Sequence, residues 1–191
     1  MSHTVVVYHS GYGHTRKQAE AVHQGAASVA GATAELLEIG AEGELAAGAW
    51  QKLEAADAIV FGAPTYMGGA SWQFKRFADA SSKPWFGAKW KNKVAAGFTN
   101  SGSMNGDKLS TLHYQFTLAM QHGMIWVGTG MVPANTKAAT RNDVNWLGSF
   151  AGAMAQSPVD SSPEEGPLSG DLETARLFGA RVAETAARWN R

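Results

Sequence analysis

The sequence predicts a doubly wound α/β fold, a five-stranded parallel sheet with helices on both of its faces. Short apolar runs alternate with longer segments of helical periodicity, which is the pattern of repeated βαβ units. Gly, Ser and Thr residues directly follow several of the apolar runs, and ligands bind beyond the carboxyl ends of the strands in such sheets. A chain of 191 residues has the size of one domain, and we expect residues 1–191 to form it.

The first half of the chain contains three predicted strands. Residues 4–8 are apolar and largely β-branched, which predicts a strand buried on both faces. Helix formers with apolar residues every three or four positions follow, and Gly31 is a suitable end for this helix. Residues 34–39 and 58–63 predict the next two strands, and a weaker helical pattern lies between them.

The second half continues the alternation and then departs from it. The remaining predicted elements are helices over residues 72–81, 109–122 and 172–189 and strands over residues 93–99 and 124–127. Residues 133–170 are rich in Ser, Pro, Gly and Asn, and they predict one long loop after the last strand. A helix still follows this loop, so we do not interpret it as a linker between domains.

Composition excludes several classes of function. The chain has no cysteine, which removes disulfides, iron–sulfur clusters and thiol nucleophiles, so redox chemistry requires a bound cofactor. Sixteen basic residues balance sixteen acidic ones, which argues against a nucleic-acid partner. The six histidines form no helical pair with metal-ligand spacing, so no metal site is expected. No apolar run is long enough to span a bilayer, and we expect a cytoplasmic protein without membrane insertion.

Three polar, glycine-bearing loops follow the first, third and fourth predicted strands. The first loop (residues 10–15) offers hydroxyls and backbone amides at a helix N-terminus, which suits a phosphate group. The second loop (residues 64–69) contains Pro64, which we expect to end its strand, and paired glycines that allow close approach of a flat ligand. The third loop (residues 99–103) offers uncharged amides and hydroxyls. Each loop alone is equally compatible with an ordinary turn, but their shared position at strand ends favours a ligand site.

Four segments together resemble the WrbA-type NAD(P)H:quinone oxidoreductases and NADPH-dependent FMN reductases, a branch of the flavodoxin-like proteins. The matching segments are residues 8–15, 61–65, 97–102 and 121–124. The resemblance implies a flavodoxin-like sheet with strand order 2-1-3-4-5 and a non-covalently bound FMN. It also implies assembly into homodimers or homotetramers.

The resemblance further implies a set of site residues. Those implied around the FMN phosphate are Ser10, Gly11, Tyr12, Gly13, His14 and Thr15. Those implied beside the flavin ring are Pro64, Thr65, Tyr66, Met67 and Gly68, and those implied at its pyrimidine edge are Thr99, Asn100, Ser101, Gly102 and Ser103. His122 matches a histidine beside the flavin and is the expected catalytic residue, although it is equally suited to end a helix before Gly123. Trp85 matches an aromatic residue that walls the substrate cleft.

The activity implied by the resemblance is transfer of two electrons from NADH or NADPH, through FMN, to a quinone or another small aromatic acceptor. Two alternatives remain open: an NAD(P)H-dependent FMN reductase, which releases its flavin, and a non-enzymatic electron-transfer flavodoxin. Flavodoxins are typically strongly acidic, and the balanced charge of this chain argues for an enzyme. The chain departs from the family at Tyr66, where an arginine is common, and at Gly69, where an asparagine is common. These departures leave the nicotinamide contacts undefined.

Overall fold

A computed structural model describes residues 2–189 of the chain. The strands are β1 (Ser2–Tyr8), β2 (Ala32–Glu38), β3 (Ala58–Tyr66), β4 (Gly69–Ala70), β5 (Val94–Ser101), β6 (Ile125–Trp126) and β7 (Ala153–Gln156). The helices are α1 (His14–Ala27), α2 (Ala49–Ala55), α3 (Trp72–Ala80), α4 (Ser82–Phe86), α5 (Lys108–Gln121) and α6 (Ser169–Trp189). In this part of the chain, no helix is long and apolar enough to cross a membrane.

The central sheet confirms the predicted doubly wound topology. Its strands lie in the order β2-β1-β3-β5-β6, and all of these neighbours are parallel. With β5 as the fourth strand of the predicted sheet, this order is the expected 2-1-3-4-5. Strand β4 is a short antiparallel addition to β3 that the sequence pattern did not reveal.

The fifth position of the sheet is divided between two short strands, which corrects the prediction of one long loop over residues 133–170. Strand β6 pairs with the start of β5, at Val94 and Ala95, and β7 pairs with its end, from Phe98 to Ser101. Residues 127–152 leave the sheet between these two pairings. Strand β7 was missed because it has only four residues, AMAQ, and contains none of the β-branched residues that mark a strand.

Strand β3 continues through Pro64 to Tyr66, whereas the sequence predicted its end at Ala63. Proline cannot donate a backbone hydrogen bond, so it is tolerated where one side of a strand lacks a partner. The pairing with β1 ends at Gly62, and Pro64 has a partner only on the other side, opposite Asn100 of β5. The extension carries β3 into the region where the other strands end.

Two apolar cores lie on the two faces of the sheet. One core packs helices α1 and α6 against the sheet, and the two helices approach each other unusually closely. A Cβ atom at Gly179 would lie 1.9 Å from the Val22 carbonyl oxygen, and one at Gly25 would lie 1.7 Å from the Arg176 carbonyl oxygen. The second core contains a cluster of aromatic rings from α3 and the segment before β5, including the fully buried Phe77 and Trp90.

Candidate active site

A cleft of about 650 Å³ lies at the carboxyl ends of β1, β3, β5 and β7. Its lining residues are Tyr12, His14, Thr15, Pro64, Thr65, Tyr66, Asn100, Ser101, Gly102, Ser157, Pro158, Val159 and Ser161. The volume falls within the range of about 300–1,000 Å³ that is usual for small-molecule and cofactor sites. None of the residues that line it is an Asp, Glu, Lys or Arg, so the polar groups facing the cleft are hydroxyls, amides and one imidazole.

The first loop is held in shape by the Ser10 hydroxyl. Its Oγ accepts hydrogen bonds from the backbone N–H groups of Gly13 and Arg16, both at 3.1 Å. Gly13 has a φ of 92°, which favours glycine, and helix α1 begins at the next residue. The Arg16 N–H is used by Ser10, but the N–H groups of His14 and Thr15 in the first turn of α1 have no partner within the helix, so these two are available to an anion. Thr15 is almost fully buried and lines the cleft beside them.

A group of buried hydroxyls lies beneath the floor of the cleft, which Thr65 lines. Thr65 Oγ1 lies 2.8 Å from Thr99 Oγ1 and 2.8 Å from Thr111 Oγ1, which connects β3, β5 and α5. On the adjoining side, Asn100 Oδ1 accepts a hydrogen bond from Ser157 Oγ at 3.1 Å. The structure places the first three residues of the predicted third loop within β5 itself, so their positions are fixed by the sheet.

Aromatic and apolar side chains border the opening of the cleft. The rings of Tyr12 and Tyr66 meet edge to face, with centroids 6.2 Å apart, and both are exposed. Partial burial raises the pKa of the Tyr66 hydroxyl, which keeps it protonated at neutral pH. Met67 is fully exposed, and it and Gly68 form a turn with φ values of 47° and 79°. The Ser110 hydroxyl donates a hydrogen bond to the Gly68 carbonyl and holds this turn against α5.

The fourth wall of the cleft comes from residues that the sequence analysis did not select. A return segment (residues 157–165) follows β7 and folds back over the first loop, where His14 Nε2 lies 3.0 Å from the Ser161 carbonyl oxygen. A Cβ atom at Gly13 would come within 2.6 Å of Pro163 Cγ. Recognition of β7 would have revealed this wall, because the chain beyond its carboxyl end must join the other strand ends.

The residues predicted around the flavin divide into three groups. Those that line the cleft are Tyr12, His14, Thr15, Pro64, Thr65, Tyr66, Asn100, Ser101 and Gly102. Those that are adjacent to it in the chain without lining it are Ser10, Gly11, Gly13, Met67, Gly68, Thr99 and Ser103. The structure does not bring Trp85 or His122 to the cleft of their own chain.

His122 lies near the amino end of β5, whereas the cleft is at the carboxyl ends of the strands. Helix α5 leads away from the cleft for 14 residues, about 20 Å, and His122 follows its last residue. The next residue, Gly123, accepts a hydrogen bond from Asn92 at 2.9 Å, just before the start of β5. Trp85 is close to His122, since its Nε1 donates to the carbonyl of the preceding residue, Gln121, at 2.8 Å. Both side chains line a second cavity, of about 430 Å³.

The His122 ring is buried and packs against the Trp90 ring at a tilt. Its centroid is 4.1 Å from that of Trp90, and its Nε2 lies 2.8 Å from Ser81 Oγ. Ser81 donates its own proton to the Ala78 carbonyl, so the histidine Nε2 acts as the donor to the serine. The other ring nitrogen, Nδ1, is buried and has no hydrogen-bond partner within residues 2–189. Burial lowers the pKa of His122 to about 4, so the ring is neutral at physiological pH.

The comparisons with known proteins agree with this fold. The sequence profile of the NADPH-dependent FMN reductase family matches residues 8–139. Among curated relatives, flavodoxin FldP of Pseudomonas aeruginosa is 54% identical over 183 residues and covers 96% of each chain. An NAD(P)H dehydrogenase (quinone) of Trichlorobacter lovleyi is 34% identical over 206 residues and covers 98% of each chain.

A solved structure supports the same relationship. The WrbA-like flavodoxin of Agrobacterium tumefaciens superimposes with a TM-score of 0.79 at 55% sequence identity, over 98% of this chain and 99% of that one. The family resemblance inferred from the four sequence segments is therefore confirmed, and the fold is flavodoxin-like. The chain belongs to the NADPH-dependent FMN reductase family of flavodoxin-like oxidoreductases.

Proposed function

We propose that the protein binds FMN non-covalently in the 650 Å³ cleft and transfers two electrons from NADH or NADPH to a quinone or similar flat acceptor. The observation that carries the proposal is the convergence of all three predicted loops on one cleft at the carboxyl ends of the strands. When bound, FMN supplies hydride acceptance and donation at its N5 atom. The protein supplies binding, orientation and electrostatic stabilisation.

The phosphate end of the proposed site is the first loop. FMN carries a dianionic phosphate, and the first turn of α1 offers backbone N–H groups and the positive end of the helix dipole. Ser10 fixes the loop through two backbone hydrogen bonds, and Thr15 adds a hydroxyl that lines the cleft. The full set proposed here is Ser10, Gly11, Tyr12, Gly13, His14 and Thr15.

The ring end of the proposed site lies between the second and third loops. Uncharged donors and acceptors from Asn100, Ser101 and Gly102 match the carbonyl and imide groups of a pyrimidine edge. The aromatic faces of Tyr12 and Tyr66 at the opening suit a second flat molecule next to the flavin. The remaining residues proposed at this end are Pro64, Thr65, Met67, Gly68, Thr99 and Ser103.

His122 and Trp85 have no part in the cleft of their own chain under this proposal. The buried and neutral His122 ring, packed against Trp90, fits a structural role at the end of α5. In the expected homodimer or homotetramer, the second cavity of one copy would lie next to the cleft of another copy. Sedimentation equilibrium measures that oligomeric state directly.

The second candidate function is an electron-transfer flavodoxin without nicotinamide activity. It is favoured by two relatives at 54% and 55% identity that are described as flavodoxins. The two candidates share the flavin site and differ in whether a nicotinamide reduces it. Release of the flavin as a product, which defines an FMN reductase, differs from both in the strength of FMN binding.

The test is a titration of the purified protein with FMN, followed by anaerobic addition of NADPH or NADH and then of a quinone. A tight one-to-one complex, bleached by a nicotinamide and recoloured by the quinone, is the expected result. A complex that no nicotinamide bleaches identifies the flavodoxin function, and rapid loss of reduced flavin identifies an FMN reductase. Failure to bind FMN at all overturns the cofactor assignment.

A matched pair of variants assigns the binding to this cleft. Gly102→Phe places a ring between Gly102 and Val159, since even a Cβ at this glycine lies 2.6 Å from the valine Cγ1. Gly87→Phe adds the same ring at an exposed position near Trp85, away from the cleft, where the nearest atoms belong to the flexible Lys89 side chain. We expect the first variant to lose FMN binding and the second to retain it.

A further inference from the structure

Lys108, the first residue of α5, is fully buried directly behind the third loop. Its ammonium nitrogen donates to three acceptors: Ser101 Oγ at 2.8 Å, the Ser103 carbonyl at 2.7 Å and the Met104 carbonyl at 2.8 Å. All three protons of the ammonium group are therefore used. The loop that is proposed to hold the pyrimidine edge of the flavin is tied to this one side chain.

The charge of Lys108 has no close counter-ion. In the part of the chain that the structure describes, its ammonium makes no ion pair, and its three acceptors are all uncharged. The charged groups that act on it are Asp171 and Arg141, which neutralise each other through two hydrogen bonds of 2.9 and 2.6 Å. Burial lowers the pKa of Lys108 to about 8, which still leaves it mostly protonated at neutral pH.

A buried cation without a partner is unfavourable for folding, so its presence next to a ligand cleft points to the ligand. Ser101 lines the cleft, and the lysine nitrogen is one hydrogen bond behind it. Hydride transfer from NAD(P)H moves two electrons and one proton to the flavin and leaves NAD(P)⁺, so the ring gains one unit of negative charge. A positive charge behind the third loop faces the site where that negative charge develops.

We propose that Lys108 is a positioning residue that holds the third loop in its binding conformation and makes the site prefer reduced over oxidised FMN. This inference rests on the proposed function, because it requires the flavin in this cleft. The two contributions are separable by experiment. Holding the loop affects the binding of both redox forms, whereas the charge affects the ratio of their affinities and therefore the midpoint potential.

The test measures FMN affinity by fluorescence quenching and the midpoint potential of bound FMN by spectroelectrochemistry. Lys108→Met and Lys108→Gln remove the charge, and Lys108→Arg retains it. A unit charge on the order of 10 Å away, at an effective dielectric constant near 20, changes a binding ratio by about tenfold. We therefore expect the two neutral variants to lose about tenfold in preference for reduced FMN, a fall of about 30 mV for a two-electron couple. Lys108→Arg is expected to keep most of the preference.

Lys93→Met is the matched control. Lys93 is a partly buried lysine whose ammonium also donates to backbone carbonyls, those of Glu54 and Ala56, but it precedes β5 at the edge away from the cleft. We expect this variant to be less stable with an unchanged potential. Should Lys108→Met fail to fold, Lys108→Gln carries the comparison, because its amide retains donors for the same loop. Absence of FMN binding by the unaltered protein overturns the proposed function, whereas an unchanged potential in FMN-loaded neutral variants overturns this inference alone.

Discussion

The buried His122 makes a specific contribution to the pH dependence of stability. In the unfolded chain this histidine takes up a proton near its ordinary pKa of 6.5, but in the folded protein it does so only near pH 4. Between these values the unfolded state binds more protons, so stability falls as the pH falls. At about 1.4 kcal/mol per pH unit, the interval corresponds to about 3 kcal/mol from this one side chain.

His122→Gln removes the titrating group and keeps an amide that can donate to Ser81 in place of Nε2. We expect this variant to be less stable than the unaltered protein at neutral pH, by about 1–2 kcal/mol, because it loses the packing of the imidazole ring against Trp90. On acidification to about pH 4.5, however, it should lose about 2–3 kcal/mol less than the unaltered protein. The two stability curves should therefore converge or cross in acid.

Urea unfolding at a series of pH values measures this difference, with His113→Gln as the control. His113 is on the same helix but exposed, and its replacement should leave the acid loss unchanged. Parallel curves for His122→Gln and the unaltered protein would refute the assignment of a buried neutral histidine. A loss of more than about tenfold in flavin reduction, without a change in stability, would instead indicate that His122 acts at the cleft of a neighbouring copy.

Three further predictions concern packing and the cleft. Thr65→Val removes the hydroxyl shared by two other threonines, and we expect a loss of about 1–3 kcal/mol in thermal unfolding together with weaker FMN binding. Gly179→Ala drives a methyl group into the Val22 carbonyl and should cost at least about 2 kcal/mol in urea unfolding, despite the gain of about 1 kcal/mol in helix propensity. A stabilised Gly179→Ala variant would show that α1 and α6 are farther apart than this 1.9 Å approach requires. Asp171→Asn leaves the charge of Arg141 without its partner and should lower the free energy of unfolding by about 2 kcal/mol, a moderate loss because Arg141 is only partly buried. An unchanged midpoint of urea unfolding would contradict this prediction.

The parts of the fold that the sequence predicted are those in which a strong local pattern coincides with burial. Strand β1 and helix α5 were placed to within two residues because their apolar spacing matches the faces that they bury. Strand β7 was not predicted because its pairing with β5, and not its own composition, makes it a strand. The end of β3 was predicted too early at Pro64, since a local rule for proline cannot show which side of a strand lacks a neighbour.

In the candidate site too, the parts that follow from local pattern and topology were predicted, and those that depend on long-range contacts were not. The three loops were recognisable because topology fixes where strand ends meet, without knowledge of any side-chain contact. The return segment, residues 157–165, and the side chain of Lys108 were not recognisable, because their positions depend on contacts between distant parts of the chain. His122 matched a family position, but the match could not show that within one chain a helix about 20 Å long separates it from the cleft.

The division of the fifth strand has a consequence for how the protein can change over evolution. Residues 127–152 leave the edge of β5 opposite Ala95 and return opposite Phe98, so the two ends of this excursion are held by nearby positions of one strand. An insertion or deletion at its exposed residues 135–138 changes an outer surface without moving β7 or the cleft wall beyond it. Surfaces for assembly or partner choice can therefore diversify while the cleft keeps its shape.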